Sequence, residues 1–412
     1  MTKNKYFIAF MMIAASMPAV ARDTFEISID IDGKGSGNIG FDSAEEALNE
    51  LDSDGFRNLV PDYQDSDTGT AILDFRGIKT FIDFPNGGTG SNSSELIFSI
   101  PELNFEKVFQ GPYRDNIREK LENFLENNDE GIFKDLLQAL AEETPVDPVA
   151  GNPNSIMSRM GASSFEQGSN ISTQDSVSRR QSGSNANRIG LEARLGRHSA
   201  GDFVQDSLTV PFSYDVVFSD PRYRLKFDAP ITVIDTEGTV TYNGSFGLGF
   251  QFPVTDKWTL TPGARIGAIG SADAASAAVV NSGSVTSSYD LYLGDIRLTV
   301  ANNGSYFRTE SINAGNYTID YDLENWMTKN GVALEGYTGL SFFGIDTTWQ
   351  TNMSHTQIFG DPLFIESYVD VAASLGTKNG RGFFNNLRLG VTVTEALGED
   401  YNAVLANFGY TF

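Results

Sequence analysis

The run Asn402-Ala-Val-Leu-Ala-Asn-Phe-Gly-Tyr-Thr-Phe412 carries Val404, Ala406, Phe408, Tyr410 and Phe412 on alternate positions and finishes on an aromatic ring. Successive side chains of a strand point to opposite faces, so one face of this segment is apolar or aromatic along most of its length. Such a face suits lipid and the aromatic belt at a membrane boundary, provided the strand helps to close a barrel. Soluble sandwich strands alternate too, so the rest of the chain has to decide.

Upstream of this run, alternating segments recur between turn residues. Leu208, Val210, Phe212 and Tyr214 alternate; Tyr223, Leu225 and Phe227 follow Asp220-Pro221. Val240, Tyr242, Ser245 and Phe246-Gly-Leu-Gly-Phe250 come next, then Trp258, Leu260 and Ile266 after Thr255-Asp256-Lys257. Further segments are expected at 288–300, 333–343, 364–375 and 386–394. Segments of about ten residues with polar, Gly-rich partner faces fit strands between lipid and a polar lumen, and we expect about 12 of them. Trp258, Trp326, Trp349, Tyr214, Tyr289, Tyr292 and Tyr337 are, as a group, candidates for interfacial girdles.

Composition narrows the class. The 412 residues include no cysteine, which excludes disulfides, thiolate metal sites and thiol nucleophiles. No apolar run downstream of the N-terminus approaches the roughly 18 residues a spanning helix needs. The net charge is -25, unevenly spread: residues 22–150 hold 28 acidic and 10 basic side chains, a balance of -18. A surface of that sign disfavours nucleic acid as a partner.

The N-terminus reads as an export signal. Lys3 and Lys5 form a positive region, Tyr6 to Ala15 an apolar one, and Ala19-Val20-Ala21 an A-x-A site, so cleavage is expected after Ala21 and the general secretion pathway is implied. Residues 22–145 read as a small acidic α+β domain. Phe25, Ile27, Ile29 and Ile31 alternate, Ser43 and Glu46 make a capping box, and strands are expected near 71–75, 80–84 and 95–100. The period then changes: Tyr113, Ile117, Leu121, Phe124 and Leu125 share a helical face, as do Ile132, Phe133, Leu136, Leu137 and Leu140. Pro145, Pro148 and Pro153 mark a linker, and the Ser/Asn/Gln/Gly-rich stretch 161–187 a flexible segment.

The ending resembles the C-terminal signal that the barrel-assembly machinery reads in Gram-negative outer-membrane proteins, with Phe408, Tyr410 and Phe412 as the matching aromatics and Asn407 where that pattern prefers Gly. The passages Phe246–Val254, Trp258–Pro262, Gly263 and Gly267 resemble the strand–turn–strand passages of the autotransporter barrel family, over about 200–412. The resemblance implies a 12-stranded barrel in the outer membrane, with a helix crossing the pore toward an exported passenger. Residues 155–170, with Ile156, Met157 and Met160, are the candidate for that helix, and 22–145 for the passenger. The passenger region has none of the solenoid repeats typical of the family, so the chain looks like a solitary barrel with a short N-terminal domain.

Catalytic chemistry is thinly represented. The chain has two histidines, His198 and His355, and neither G-x-S-x-G nor H-E-x-x-H occurs. Ser354 and His355 adjoin in a strand, so they point to opposite faces. Asp30 to Phe41 begins like a calcium loop, but Lys34 and Phe41 stand where oxygen ligands belong; Asp52-Ser-Asp54 and Asp65-Ser-Asp67 read as acidic turns. No cofactor, metal or enzymatic activity is expected.

The sequence therefore predicts an all-β transmembrane antiparallel β-barrel at 188–412, preceded by a signal peptide at 1–21, an acidic α+β domain at 22–145, and a flexible linker with a candidate pore helix at 146–187. It predicts display or tethering of the N-terminal domain in the Gram-negative outer membrane. The alternatives are a structural or pore-forming barrel with a periplasmic N-terminal domain and, third, an outer-membrane hydrolase.

Overall fold

The computed structural model describes residues 23–43, 46–47, 50–87, 94–126, 131–169, 171, 187–271, 273, 276–314, 317–378 and 387–411. The signal-peptide residues Ala19 and Ala21, the terminal Phe412 and most of the 161–187 segment lie outside them.

The N-terminal region is a six-stranded antiparallel sheet in the order β2-β1-β3-β4-β5-β6. Its strands are β1 Phe25–Ile31, β2 Gly35–Phe41, β3 Gly69–Phe75, β4 Ile78–Gly87, β5 Ser94–Ile100 and β6 Phe105–Gly111. Among the described residues, the longer helices packed on it are α1 Ser53–Leu59, α2 Arg114–Glu126 and α3 Ile132–Glu143. Phe25, Ile27, Ile29 and Ile31 are all buried, as their alternation demands. Asp52, read as part of an acidic turn, caps α1: its Oδ1 accepts from the N–H groups of Asp54 at 2.9 Å and Gly55 at 2.7 Å. The calcium-like stretch is the β1–β2 hairpin, and Lys34 reaches out of it to Asp67 at 2.7 Å.

The C-terminal region closes. Twelve antiparallel strands form a barrel: β7 Arg188–Ala200, β8 Phe203–Val217, β9 Arg224–Thr236, β10 Thr239–Pro253, β11 Trp258–Ser271, β12 Ser276–Leu293, β13 Ile296–Glu310, β16 Glu324–Phe342, β17 Ile345–Gly360, β18 Ser367–Thr377, β19 Leu387–Ala396 and β20 Tyr401–Thr411. A small hairpin, β14 Ile312–Ala314 with β15 Tyr317–Ile319, stands in the β13–β16 connection. Closure comes from β20 pairing with β7, Tyr401 opposite Ala200 and Tyr410 opposite Leu191. The segment expected as one strand at 288–300 is two, because Gly294 at φ 63° turns the chain and Leu291 pairs with Leu298.

Large apolar side chains point outward around the barrel, with a few polar ones such as Asn302 and Asn330 among them. Leu191, Val210, Ile231, Phe246, Ile266, Val285, Val332, Val371, Leu389 and Phe408 are among the exposed large hydrophobics of the barrel. An exposed apolar band encircling a molecule is untenable in water and matches a bilayer. Among the described residues no helix is long and apolar enough to cross a membrane; the strands do so.

Each strand reverses direction, so the start of β7 and the end of β20 share one end of the barrel, here the terminal end. The turns after β7, β9, β11, β13, β17 and β19 lie at the other end, the capped end. The N-terminal sheet sits there. Thr24 Oγ1 donates to the Thr236 carbonyl at 3.0 Å, and Thr239 Oγ1 donates to the Asp42 carbonyl at 2.7 Å. One apolar cluster runs without a break from Phe25 and Ile27 through Leu137 and Val149 to Ile269, Val280 and Phe307 of the barrel.

Candidate functional site: the occupied lumen and its cap

A fourth helix, α4 Ile156–Ser169, lies inside the barrel. It enters from the capped end. Ile156, Met157 and Met160, buried to 1% exposure or less, pack with Ile269, Val280, Phe307 and Met327 of the wall. Further down, Phe165 and Ile171 meet Ala301 and Ala333. Two glycines let the helix lie close. A Cβ at Gly161 would stand 2.2 Å from Met327 Sδ, and one at Gly168 would stand 2.2 Å from Thr286 Cβ. Carbonyls left open toward the helix C-terminus find wall donors: Ser288 Oγ to Ser169 at 2.9 Å and Gln350 Nε2 to Ile171 at 2.7 Å.

The rest of the lumen is charged and paired. Arg194 of β7 grips Glu166 of α4 with two bonds, 2.9 and 2.7 Å, and also meets Glu192 at 2.6 Å. Arg265 holds Asp228 in the same bidentate way at 2.6 and 2.8 Å. The Gln167 side-chain amide donates to that carboxylate at 2.5 Å, while the Gln167 backbone carbonyl accepts from Lys226 Nζ at 2.6 Å. Lys329 meets Asp370 at 2.5 Å, and Glu335 bridges Arg297 at 2.5 Å and Arg388 at 3.3 Å. Buried charges survive in pairs, so these contacts fix the wall positions and tie the helix to them. A cavity of about 250 Å³ remains beside α4, bordered by Arg159, Glu166, Arg194, Lys226, Lys329 and Asp370.

Residues 146–155, read from their prolines as linker, are buried and bonded in the mouth of the barrel. Asp147 is the hub. Arg76 approaches it at 3.2 Å, Tyr321 OH donates to it at 3.0 Å, and the N–H groups of Val149 and Ala150 donate at 2.9 and 3.0 Å. Burial raises the Asp147 carboxyl, opposed by Arg76 and by these donors. Arg76 reaches the hub because it is the first residue of a two-residue hairpin turn, at φ 55° with Gly77 at 105°. The outer seam adds Lys134 of α3 to Asp322 at 2.5 Å. Backbone joins it too: the N–H groups of Phe364 and Ile365 donate to the carbonyls of Ala141 at 2.9 Å and Gly151 at 3.0 Å.

Phe408 and Tyr410 stand on the outer face of β20, toward the terminal end. Ser354 faces the lumen at 3.4 Å from Asp370, whereas His355 faces outward and meets Ser367 at 2.9 Å. Sequence spacing missed another pair. His198 Nε2 lies 2.9 Å from Ser207 Oγ and its Nδ1 lies 2.8 Å from Tyr401 OH. This relay spans β20, β7 and β8 across the strand junction that closes the barrel. The lumen charges had a signal in sequence: Arg194, Lys226, Arg265, Lys329 and Arg388 interrupt strands on the face opposite the lipid-facing residues.

The fold and lumen define a transmembrane β-barrel protein with a helix in its pore. No protein-family model matches the chain, and no curated protein matches it in sequence. Among solved structures it is similar to the β domain of the Bordetella autotransporter BrkA, at 15% identity over 55% of this chain and 99% of that one, with a TM-score of 0.41. It is similar also to the translocator domain of the autotransporter NalP from Neisseria meningitidis (9% identity, 56% and 89% coverage, TM-score 0.37). The KdgM porin is a third (10% identity, 54% and 99%, TM-score 0.34).

Proposed function

We propose that this chain is an outer-membrane barrel of autotransporter type that carries its N-terminal domain through its own lumen and holds it, folded, over the outer mouth. One observation supports this reading above the others. The two chain ends of the barrel lie at the terminal end, the N-terminal sheet sits at the capped end, and the described element between them is α4 inside the pore. Barrels with an even strand count keep both chain ends in the periplasm, which puts the cap outside the cell. Residues 1–21 would direct export, with cleavage after Ala21. Phe408, Tyr410 and Phe412 would present the last strand to the barrel-assembly machinery. The lumen acts as support and not as a catalyst in this reading, since Glu166, Glu192, Asp228, Glu335 and Asp370 are each committed to an Arg or Lys.

The second reading is a pore-forming barrel with a periplasmic N-terminal domain. The charged cavity beside α4 favours it, since a polar gap along the helix is a route for small solutes. One experiment separates the two. An external protease added to intact cells should remove the acidic domain, detected with an antibody to 23–143. Protection in intact cells, with digestion only after the outer membrane is permeabilised, overturns display and leaves the pore.

A further inference from the structure

The six-stranded sheet covers its helices with one face and leaves the other to solvent. Register maps the open face. Asp30, Thr70, Asp83, Ile97 and Val108 form one cross-strand row, and Ser28, Ile72, Phe81, Ser99 and Glu106 the next. Ile72 and Phe81 are directly paired, Ile97 and Val108 are directly paired, and the two pairs adjoin diagonally. The result is an apolar stripe over β3, β4, β5 and β6, half-buried at Ile72, Phe81 and Ile97 and open at Val108, 48% exposed. The open face of an antiparallel sheet is ordinarily polar, so four neighbouring apolar side chains there are unusual.

The border is acidic. Among the described residues, Glu26, Asp30, Asp83, Glu95 and Glu106 share the face with Asp74 and with one cation, Lys79, which stands opposite Asp74. The hydrogen bonds these carboxylates accept come from neutral groups: Asn38 to Glu26 at 3.2 Å, Thr70 to Asp83 at 2.6 Å and Gln110 to Glu95 at 2.8 Å. Among the described residues none of the five is in an ion pair. The lumen behaves in the opposite manner, with its carboxylates matched to Arg or Lys. The face thus combines apolar area that gains from being covered with negative charge that only an incoming cation can balance.

We infer that this face is a docking surface for a cationic amphipathic polypeptide, whose apolar side chains lie along Ile72, Phe81, Ile97 and Val108 while its Lys or Arg groups meet Asp83, Glu106 and Glu26. The inference holds whichever side of the membrane the cap occupies.

The test uses the full chain in zwitterionic lipid nanodiscs, with a Leu/Lys amphipathic peptide as probe and its Leu/Gln counterpart as the uncharged control. The Leu/Lys peptide should bind at least about tenfold tighter than Leu/Gln at low ionic strength, an advantage that salt erodes. Ile72→Ser with Phe81→Ser, and separately Asp83→Lys with Glu106→Lys, should each weaken it by about tenfold or more. Asp115→Lys with Glu119→Lys makes the same change of charge on α2, behind the sheet, and should shift binding less than about twofold. Equal losses in both charge-reversal variants would reduce the effect to net charge and overturn the site. Equal binding of Leu/Gln, or equal adsorption to empty nanodiscs, would overturn it as well. An unchanged unfolding temperature of the cap in each variant ties the loss to the face itself.

Discussion

Tyr63 sits 3% exposed beneath the N-terminal sheet, with the Arg114 guanidinium 5.3 Å from its ring centroid and 4.0 Å from that of Phe84. Burial pushes the Tyr63 hydroxyl up to about 12, against the lowering pull of Arg114. A group whose pKa is raised on folding contributes stability that is complete below its unfolded value. For Tyr63 that stability is lost as pH rises from 10.0 through about 12. A shift of this size corresponds to on the order of 2–3 kcal/mol. The unfolding temperature of the cap should therefore fall more steeply between pH 10 and 12 in the native protein than in Tyr63→Phe. Parallel curves for the two would show that this hydroxyl ionises freely in the folded state. Neither the burial of Tyr63 nor the cage around Arg114 was legible in sequence. Tyr63 lies in an acidic, loop-like stretch, and the rings facing Arg114 come from positions 56, 63 and 84.

Among the elements, α4 decides whether the lumen is open. Its residues Ile156, Met157 and Met160 were visible as a short apolar group, yet helical periodicity says nothing about which wall a helix touches. Glycine spacing does: Gly161 and Gly168 are seven apart, two turns along one side, and both rest on the wall. Gly168→Val should force the helix off Thr286, at about 1–3 kcal/mol of packing. The expected readouts are larger single-channel conductance in planar bilayers and a lower temperature for the heat-induced gel-mobility shift. Ala162→Val, on the side that borders the cavity, serves as the control and should leave both nearly unchanged. A Gly168→Val protein with native conductance would mean that the helix is held by its ion pairs alone. The strands were more legible than the helix. Their lipid-facing side carries large apolar residues at alternate positions, and what went unlocated was the turn at Gly294 and two whole strands, β7 Arg188–Ala200 and β17 Ile345–Gly360.

For the molecule as a whole, cap, connecting segment and barrel are joined by a continuous core and by the Arg76–Asp147–Tyr321 hub. Removing one partner of a buried ion pair costs roughly 3–5 kcal/mol, because the other is left uncompensated. Arg76→Ala should therefore loosen the cap, and the buried 146–155 segment should become cleavable by protease. The difference in gel mobility between boiled and unboiled samples should persist, since the ladder from β7 to β20 does not pass through the cap. Cleavage at the native rate would show that the seam bonds of Thr24, Thr239 and Lys134 suffice. What the sequence alone determined is whatever depends on near neighbours: the two-residue period of the barrel strands, the helical stripes of Ile117, Leu121 and Phe124 and of Ile132 to Leu140 (Tyr113, expected on the first, precedes the helix and is exposed), the acidic imbalance of the N-terminal region and the polar lumen-facing residues. Tertiary structure decided the rest: the closure of β20 on β7, the end of the barrel that carries the cap, the burial of the proline-bearing segment, and pairs such as Arg297 and Arg388 on Glu335. Periodicity is a local property of a chain. The partner of a buried charge is chosen by which distant strands the closed ladder brings face to face.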